Sequence, residues 1–208
     1  ECSISQSSIT GNTVQYGGGG ILSVDNTLAV TNSTIAHNTA QNGAGAYVVR
    51  PSSGASIPQF DFDTITENQG SGLYVQESQG ASVELRNTVL AGNSGSDCEL
   101  DYQGSIVSLG FNYLGSTCTL GSNDIDALLF PLRLGSITSD EHGATYVMLP
   151  HPDSVLIDAG SCSAANLFAD QRGHARPASV PRVLPKFDGC DIGAAELDDD
   201  IFWDDLDH

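Results

Sequence analysis

Along the first half of the chain the apolar positions fall in a phrase that is written four times: Ile4 and Ile9 before Asn12, Val30 and Ile35 before Asn38, Phe60 and Ile65 before Asn68, Leu85 and Leu90 before Asn93. In each copy one apolar residue stands eight positions before the asparagine and another three before it, with small or polar residues filling much of the space between. The asparagines are 26, 30 and 25 residues apart, a repeat length that signals a solenoid. No segment sustains the 3.6-residue apolar period of a helix, and the repeats are rich in Gly, Ser, Thr and Asn. Each copy reads as short strands punctuated by turns. A single such coil cannot bury its apolar side chains, whereas stacked coils give each one a floor. The pattern therefore predicts an all-β fold, a right-handed parallel β-helix. Ile4, Val30, Phe60 and Leu85 face inward on one strand of each coil, and Ile9, Ile35, Ile65 and Leu90 on the next.

The asparagines fit the same scheme. Asn12, Asn38, Asn68 and Asn93 are expected to form a ladder at one corner, each amide bonding its neighbour and the turn backbone, because a buried corner needs its polar groups satisfied. Glycine-bearing turns follow them, including Gly17 to Gly20, Gly43 to Gly45 and Gly70 to Gly72. These read as sharp bends between strands. The glycine run is no phosphate loop, because it lacks the Lys-Ser/Thr that would follow and the strand-to-helix context. The segment from Arg50 to Gln59 reads as an outward loop. Residues 1–94 form regular coils, 95–196 irregular coils with a closing motif of the same domain, and 197–208 an acidic and aromatic tail. At about 25 residues per coil, the 208 residues have room for roughly seven or eight turns.

Charge narrows the function classes. The chain carries 26 acidic side chains against 7 Lys and Arg, a net charge of −19. Nucleic acid is a poor partner for such a surface, since neutralising phosphates needs a basic face. Scarce lysine, abundant Ser, Thr, Asn and Gly, and five cysteines point to an extracellular or cell-surface protein. Neither a signal peptide nor a transmembrane segment is recognisable, as expected of a mature secreted product. Cys98 and Cys118 bracket one loop and Cys162 and Cys190 another, without the CxxC spacing of a zinc site, so two disulfides are expected. Cys2 is left over, either free, deprived of a partner, or bonded to a second chain.

The second half departs from the phrase and carries a family resemblance. Asp97-Cys98, then Ser108-Leu109-Gly110-Phe111-Asn112-Tyr113-Leu114-Gly115, form its first element. Leu149-Pro150, followed by Val155-Leu156-Ile157-Asp158-Ala159-Gly160, form the second. Asp170-Gln171-Arg172-Gly173, Arg176-Pro177 and Cys190-Asp191-Ile192-Gly193-Ala194-Ala195-Glu196 complete it. Together they resemble the choice-of-anchor Q domain proteins, bacterial secreted or surface β-helices of the pectate-lyase-like kind. The resemblance implies a right-handed β-helix and export, and no particular reaction. Such domains usually precede an anchoring segment. Here the final eleven residues instead hold six aspartates together with Ile201, Phe202, Trp203 and Leu206.

Candidate chemistry is sparse. Lyases on this fold need a base beside a uronate, and hydrolases need paired carboxylates at fixed separation. Asp61 and Asp63 flank Phe62 within one strand and read as two carboxylates on one face, but the other copies carry no matching acids. Four of the seven basic residues lie between Arg172 and Lys186. Asp158, Asp170, Arg172, Arg176, Asp191 and Glu196 are read as a buried ion-pair network that closes the end of the helix, guanidinium forks being suited to such pairing. His37, His142, His151 and His208 lack metal-ligand spacing, and Asn32-Ser33-Thr34 is a formal glycosylation sequon. Asn123-Asp124-Ile125-Asp126 offers oxygen ligands to Ca²⁺ without forming an EF-hand loop; no other cofactor is implied.

Three readings follow. The first is a non-catalytic structural or adhesive protein, a filament-forming adhesin that assembles head-to-tail with itself or binds cell-surface or extracellular-matrix components. The second is a polysaccharide lyase or glycoside hydrolase. The third is a carbohydrate-binding module with Tyr16, Tyr47, Tyr74 and Tyr102 as stacking platforms. An uncapped solenoid end favours the first, a cleft with converging carboxylates and a base the second, an aromatic stripe the third. The tail, with Ile201, Phe202, Trp203 and Leu206 on its apolar side, is expected to contact a neighbouring chain.

Overall fold

A computed structural model describes residues 2–24, 27–50, 57–77, 82–102, 104–139, 145–178 and 187–197. Each coil contributes three short strands. The first holds β1 (Cys2–Ser5), β2 (Ser8–Thr10) and β3 (Ile21–Val24), and the second β4 (Leu28–Thr31), β5 (Thr34–Ala36) and β6 (Ala46–Arg50). The third holds β7 (Gln59–Asp61), β8 (Thr64–Thr66) and β9 (Leu73–Glu77). The fourth holds β10 (Ser82–Arg86), β11 (Val89–Leu90) and β12 (Cys98–Tyr102). Beyond it lie β13 (Ser105–Ser108), β14 (Tyr113–Leu114) and β15 (Ile125–Asp126). Like strands pair in parallel into a first sheet β1-β4-β7-β10-β13, a second sheet β2-β5-β8-β11-β14-β15 and a third sheet β3-β6-β9-β12. The object is a β-solenoid of about four turns.

Register turns the repeated phrase into the core. Ile4 pairs with Val30, Val30 with Phe60 and Phe60 with Leu85. Ile9, Ile35, Ile65, Leu90 and Leu114 stack likewise in the second sheet. Val30, Phe60, Leu85, Ile35, Ile65 and Leu90 are completely buried, each contributing about 1.5–3 kcal/mol relative to an exposed side chain. One glycine row exists so that coils can approach. A Cβ on Gly45 would lie 2.4 Å from the Gly72 carbonyl oxygen and 2.7 Å from Ile65 Cγ2, while its φ is not in the left-handed region. Contact between coils, not a bend, requires glycine there.

The chain makes about four turns rather than seven or eight because it stops coiling after β15. After β15 it folds back along the outside. The short antiparallel pair β16 (Thr138–Ser139) and β17 (Tyr146–Val147) and the single-turn α1 (Cys162–Ala165) lie on this return path. Leu132, Leu134, Leu156, Ala159 and Ile192 pack on Val89, Ala91 and Tyr113. The Tyr146 N–H reaches the Ser8 hydroxyl, Thr34 donates to the Gln171 side chain (2.7 Å), and the Ala194 N–H donates to Thr64 Oγ1 (3.0 Å). The second sheet is thereby buried on both faces from β5 to β14.

Candidate functional site

Between the first and second sheets each coil turns through one left-handed residue: Gln6, Asn32, Phe62, Asn87 and Phe111, at φ 47, 48, 56, 52 and 62°. Such backbone is costly for a phenylalanine unless its surroundings fix it. The returning segment supplies those surroundings. Phe187 meets Phe111 edge-on, Asn87 exchanges hydrogen bonds with the Ser161 backbone, and Asn32 donates to the Ala169 carbonyl (2.8 Å). The Cys162–Cys190 disulfide packs on Phe62. The segment clasps this corner from the last coils to the first. The sequon residue Asn32 sits beneath it, only 4% exposed.

At the centre of the clasp the structure brings together the charged residues singled out in the sequence. Arg176 Nη1 donates to Glu196 Oε1 (2.6 Å) and to the Asp191 carbonyl (3.1 Å), and Nη2 donates to the Gly193 carbonyl (2.7 Å) and Asn32 Oδ1 (3.3 Å). Its guanidinium lies 4.1 Å from the Phe62 ring centroid. Arg172 pairs with Asp170 Oδ2 through Nε (2.9 Å) and Nη2 (2.8 Å), and Nη2 also donates to the Glu196 carbonyl (2.6 Å). Asp170 accepts the backbone N–H of Arg172, His174 and Glu196 as well. Asp191 accepts the N–H of Asp158 and Leu197, so Asp158 joins through its backbone. The network clamps the solenoid's flank at coils two and three; it does not close an end. The reason is the folding back, which carries these residues away from the end of the last coil and along the outside of earlier ones.

Electrostatics follow from burial. Asp191 is pushed well above the usual carboxylate range by desolvation and then by Glu196, against the opposing N–H groups. Desolvation also raises Glu196, with Arg176 pulling it back, and lowers Arg176, with Glu196 pulling it back. The side chains of Arg176, Glu196 and Asp170 are wholly inaccessible and that of Arg172 nearly so. No substrate atom reaches these charges.

Two polar ladders run up the solenoid corners. Asn38 Oδ1 accepts the backbone and side-chain N–H of Asn12, Asn68 Oδ1 those of Asn38, and Asn93 Oδ1 those of Asn68. Asp97 ends the row, accepting both from Asn93 (3.0 Å each). Burial raises the Asp97 carboxyl, with the Asn93 hydrogen bonds opposing. The second ladder was missed in the sequence: Ser33 N–H donates to Asp63, Asp63 N–H to Thr88, Thr88 N–H to Asn112 and Asn112 N–H to Asp124. Its one signal is that Ser7, Ser33, Asp63 and Thr88 each stand three positions after an inward residue. Asp63 is completely buried, its Oδ2 has no hydrogen-bond partner, and desolvation pushes its carboxyl far up.

Other candidates are separated. Asp61 and Asp63 do not share a face, because Phe62 turns the chain between them. Asp61 pairs with Arg86 on the outside of the first sheet (2.9 Å), while Asp63 is inside. Of the carboxylates offered to Ca²⁺, Asp124 accepts from the backbone and side chain of Asn112 and from the Gly121 N–H, and Asp126 accepts from the Leu128 N–H. Cys98 and Cys118 form the other disulfide, and Cys2 is free and exposed. Cys162, Asp188 and Cys190 are close enough to resemble a metal site, but the cysteines are bonded to each other. The Asp188 carboxylate caps α1 through the Ser161 hydroxyl and the Cys162 and Ser163 N–H groups. Burial pushes Asp188 up, yet those donors hold it below the usual range. Tyr47 and Tyr74 meet on the third sheet with centroids 4.8 Å apart, but Tyr74 is buried, contrary to its role as a platform, while Tyr16 is exposed. His37 pairs with Glu67 and His151 with Asp153 at the surface. Ile201, Phe202, Trp203, Leu206, His142 and His208 lie outside the described residues, as does the Tyr102 side chain. Among the described residues no helix is long and apolar enough to cross a membrane. Comparison with family models, with curated proteins and with solved structures finds no match to this chain.

Proposed function

We propose that this chain is a non-catalytic structural or adhesive β-solenoid module that works outside the cell and joins other β-coils end to end. One observation carries the reading: at the end of the solenoid where the chain turns back, β12 and β13 are the outer strands of their sheets among the described residues. There Leu100, in register with the buried Val75 on the interior row, is 51% exposed. Parallel edges of this kind template further strands unless covered. The two ends of one solenoid are related by translation along its axis, so a second copy supplies strands of the right shape and direction.

The acid and base groups with the best catalytic chemistry are consumed in the clasp, which favours this reading over a lyase or hydrolase. Two disulfides fit an oxidising compartment, and the likeness to choice-of-anchor Q domain proteins points the same way. Sedimentation velocity over a concentration series tests the proposal. The chain should form a ladder of end-to-end species, and Leu100→Lys, which places a charge on the exposed end of the interior row, should return it to monomer. A monomer at every concentration would overturn it.

A further inference from the structure

A groove of about 430 Å³ lies where the clasp crosses the first two coils. Its floor comes from Ser5, Gln6, Thr31 and Asn32, and its opposite wall from residues 166–169, with Asn166 and Phe168 among them. Ser5 and Thr31 are register partners on the first sheet, and the row continues to Asp61 and Arg86. Those two charges neutralise each other, and Arg86 also bonds the Ala164 carbonyl, joining floor to wall. Gln6 donates to the Asp170 carbonyl (3.2 Å), which ties the groove's edge to the charged network.

Three properties of the groove limit its ligand. None of its lining residues ionises, in a chain of net charge −19. Hydroxyl and carboxamide groups supply both donors and acceptors along the floor. Phe168 is 57% exposed on the wall, whereas Phe60 and Phe62 are wholly buried. An aromatic face beside neutral donors and acceptors suits a molecule with an apolar C–H face and a hydroxylated rim, and repels no uncharged one. We infer that this groove binds a neutral pyranose unit of a polysaccharide, with Phe168 stacking on the sugar face and Ser5, Thr31 and Asn166 bonding its hydroxyls. The inference goes beyond end-to-end assembly, and the two fail separately, since a monomer holds the same groove.

The test is amide NMR of the intact chain titrated with cellotriose and mannotriose as neutral probes and trigalacturonate as the acidic one. Saturable shifts should appear at residues 5–6, 31–32 and 166–169 with a neutral trisaccharide and be absent with trigalacturonate. Phe168→Ala should weaken binding about tenfold at unchanged melting temperature, and Phe168→Trp should restore it. Absence of saturable shifts there with both neutral probes, equal binding by Phe168→Ala, or tighter binding of trigalacturonate would each overturn the assignment.

Discussion

Replacing Arg176 by alanine probes the clasp at its most connected point. The substitution removes four hydrogen bonds, made to Glu196, Asp191, Gly193 and Asn32, and the cation stacked on Phe62. It leaves Glu196 buried without its cation. Breaking a buried pair from one side costs about 3–5 kcal/mol. For a chain of this size that corresponds to a melting temperature lower by roughly 6–20 °C. Protonation of Glu196 limits the loss, so the variant should recover part of its stability as pH falls. Adding Glu196→Gln neutralises the stranded carboxylate and should return about 1–3 kcal/mol, the coupling expected of groups in direct contact. Thermal melts of the two single variants and the double variant measure this cycle, with side-chain amide exchange at Asn32 and Asn87, whose carboxamides donate to the Ala169 and Ser161 carbonyls, reporting release of the clasp and side-chain exchange at Asn68 reporting the solenoid. Faster exchange at Asn32 and Asn87 before Asn68 is expected. A single variant that melts like the parent, or a double variant no better than the single, would refute a clasp held by this pair.

Asp63→Asn should stabilise the protein at neutral pH, by about 0.5–2 kcal/mol, the usual range for relieving one strained site. The Asp63 carboxyl is raised by burial, with Asp61 adding and Ser33 and Arg176 opposing. Its favourable contribution is therefore complete below the unfolded value near about 3.9 and is lost as pH rises through the folded value. The gap between variant and parent in melts across pH should close toward acid; a gap that is constant or reversed contradicts the assignment. Cys162→Ser with Cys190→Ser opens a 28-residue loop and should cost about 3–4 kcal/mol in urea titrations, with loss near zero counting against the clasp. Gly45→Ala drives a methyl into the Gly72 carbonyl, so its melting temperature should fall by more than that of Gly11→Ala, whose Cβ meets nothing within 4 Å. Equal falls would show that the clash at Gly45 costs no more than the left-handed backbone of Gly11, at φ 70°, and would contradict contact between coils as the dominant constraint.

The inward rows were legible because the asparagine phrase gives each coil its phase, and parallel register then places Phe60 on Val30 and Leu85 on Phe60. The corner opposite the asparagines was not, because its left-handed residues are Gln, Asn, Phe, Asn and Phe, which share a backbone conformation and no side-chain chemistry. Thr34, Thr64 and Thr66 are polar residues on short strands, yet all three are buried. Described residues of the returning segment, among them Gln171 and Ala194, lie over this sheet, and no local pattern encodes that path. For the charged cluster, the residues singled out in the sequence do meet, Asp158 through its backbone N–H. Its place on the flank required the fold, since distance from the end of the last coil is not written in spacing. Asp63 and Asp97 were opaque for a related reason: a carboxylate at the end or middle of an amide ladder looks like any acidic turn residue until its neighbours above and below are known.

End-to-end joining through the exposed end of the solenoid is the central claim, and negative-stain microscopy of the purified chain tests it most directly. About four coils at ~4.8 Å per strand make one solenoid only ~20 Å long, so assembly is visible as rods many times that length. The parent chain should form such rods and Leu100→Lys none. A field free of rods at concentrations where the protein is folded, or rods that persist undiminished in Leu100→Lys, would contradict it.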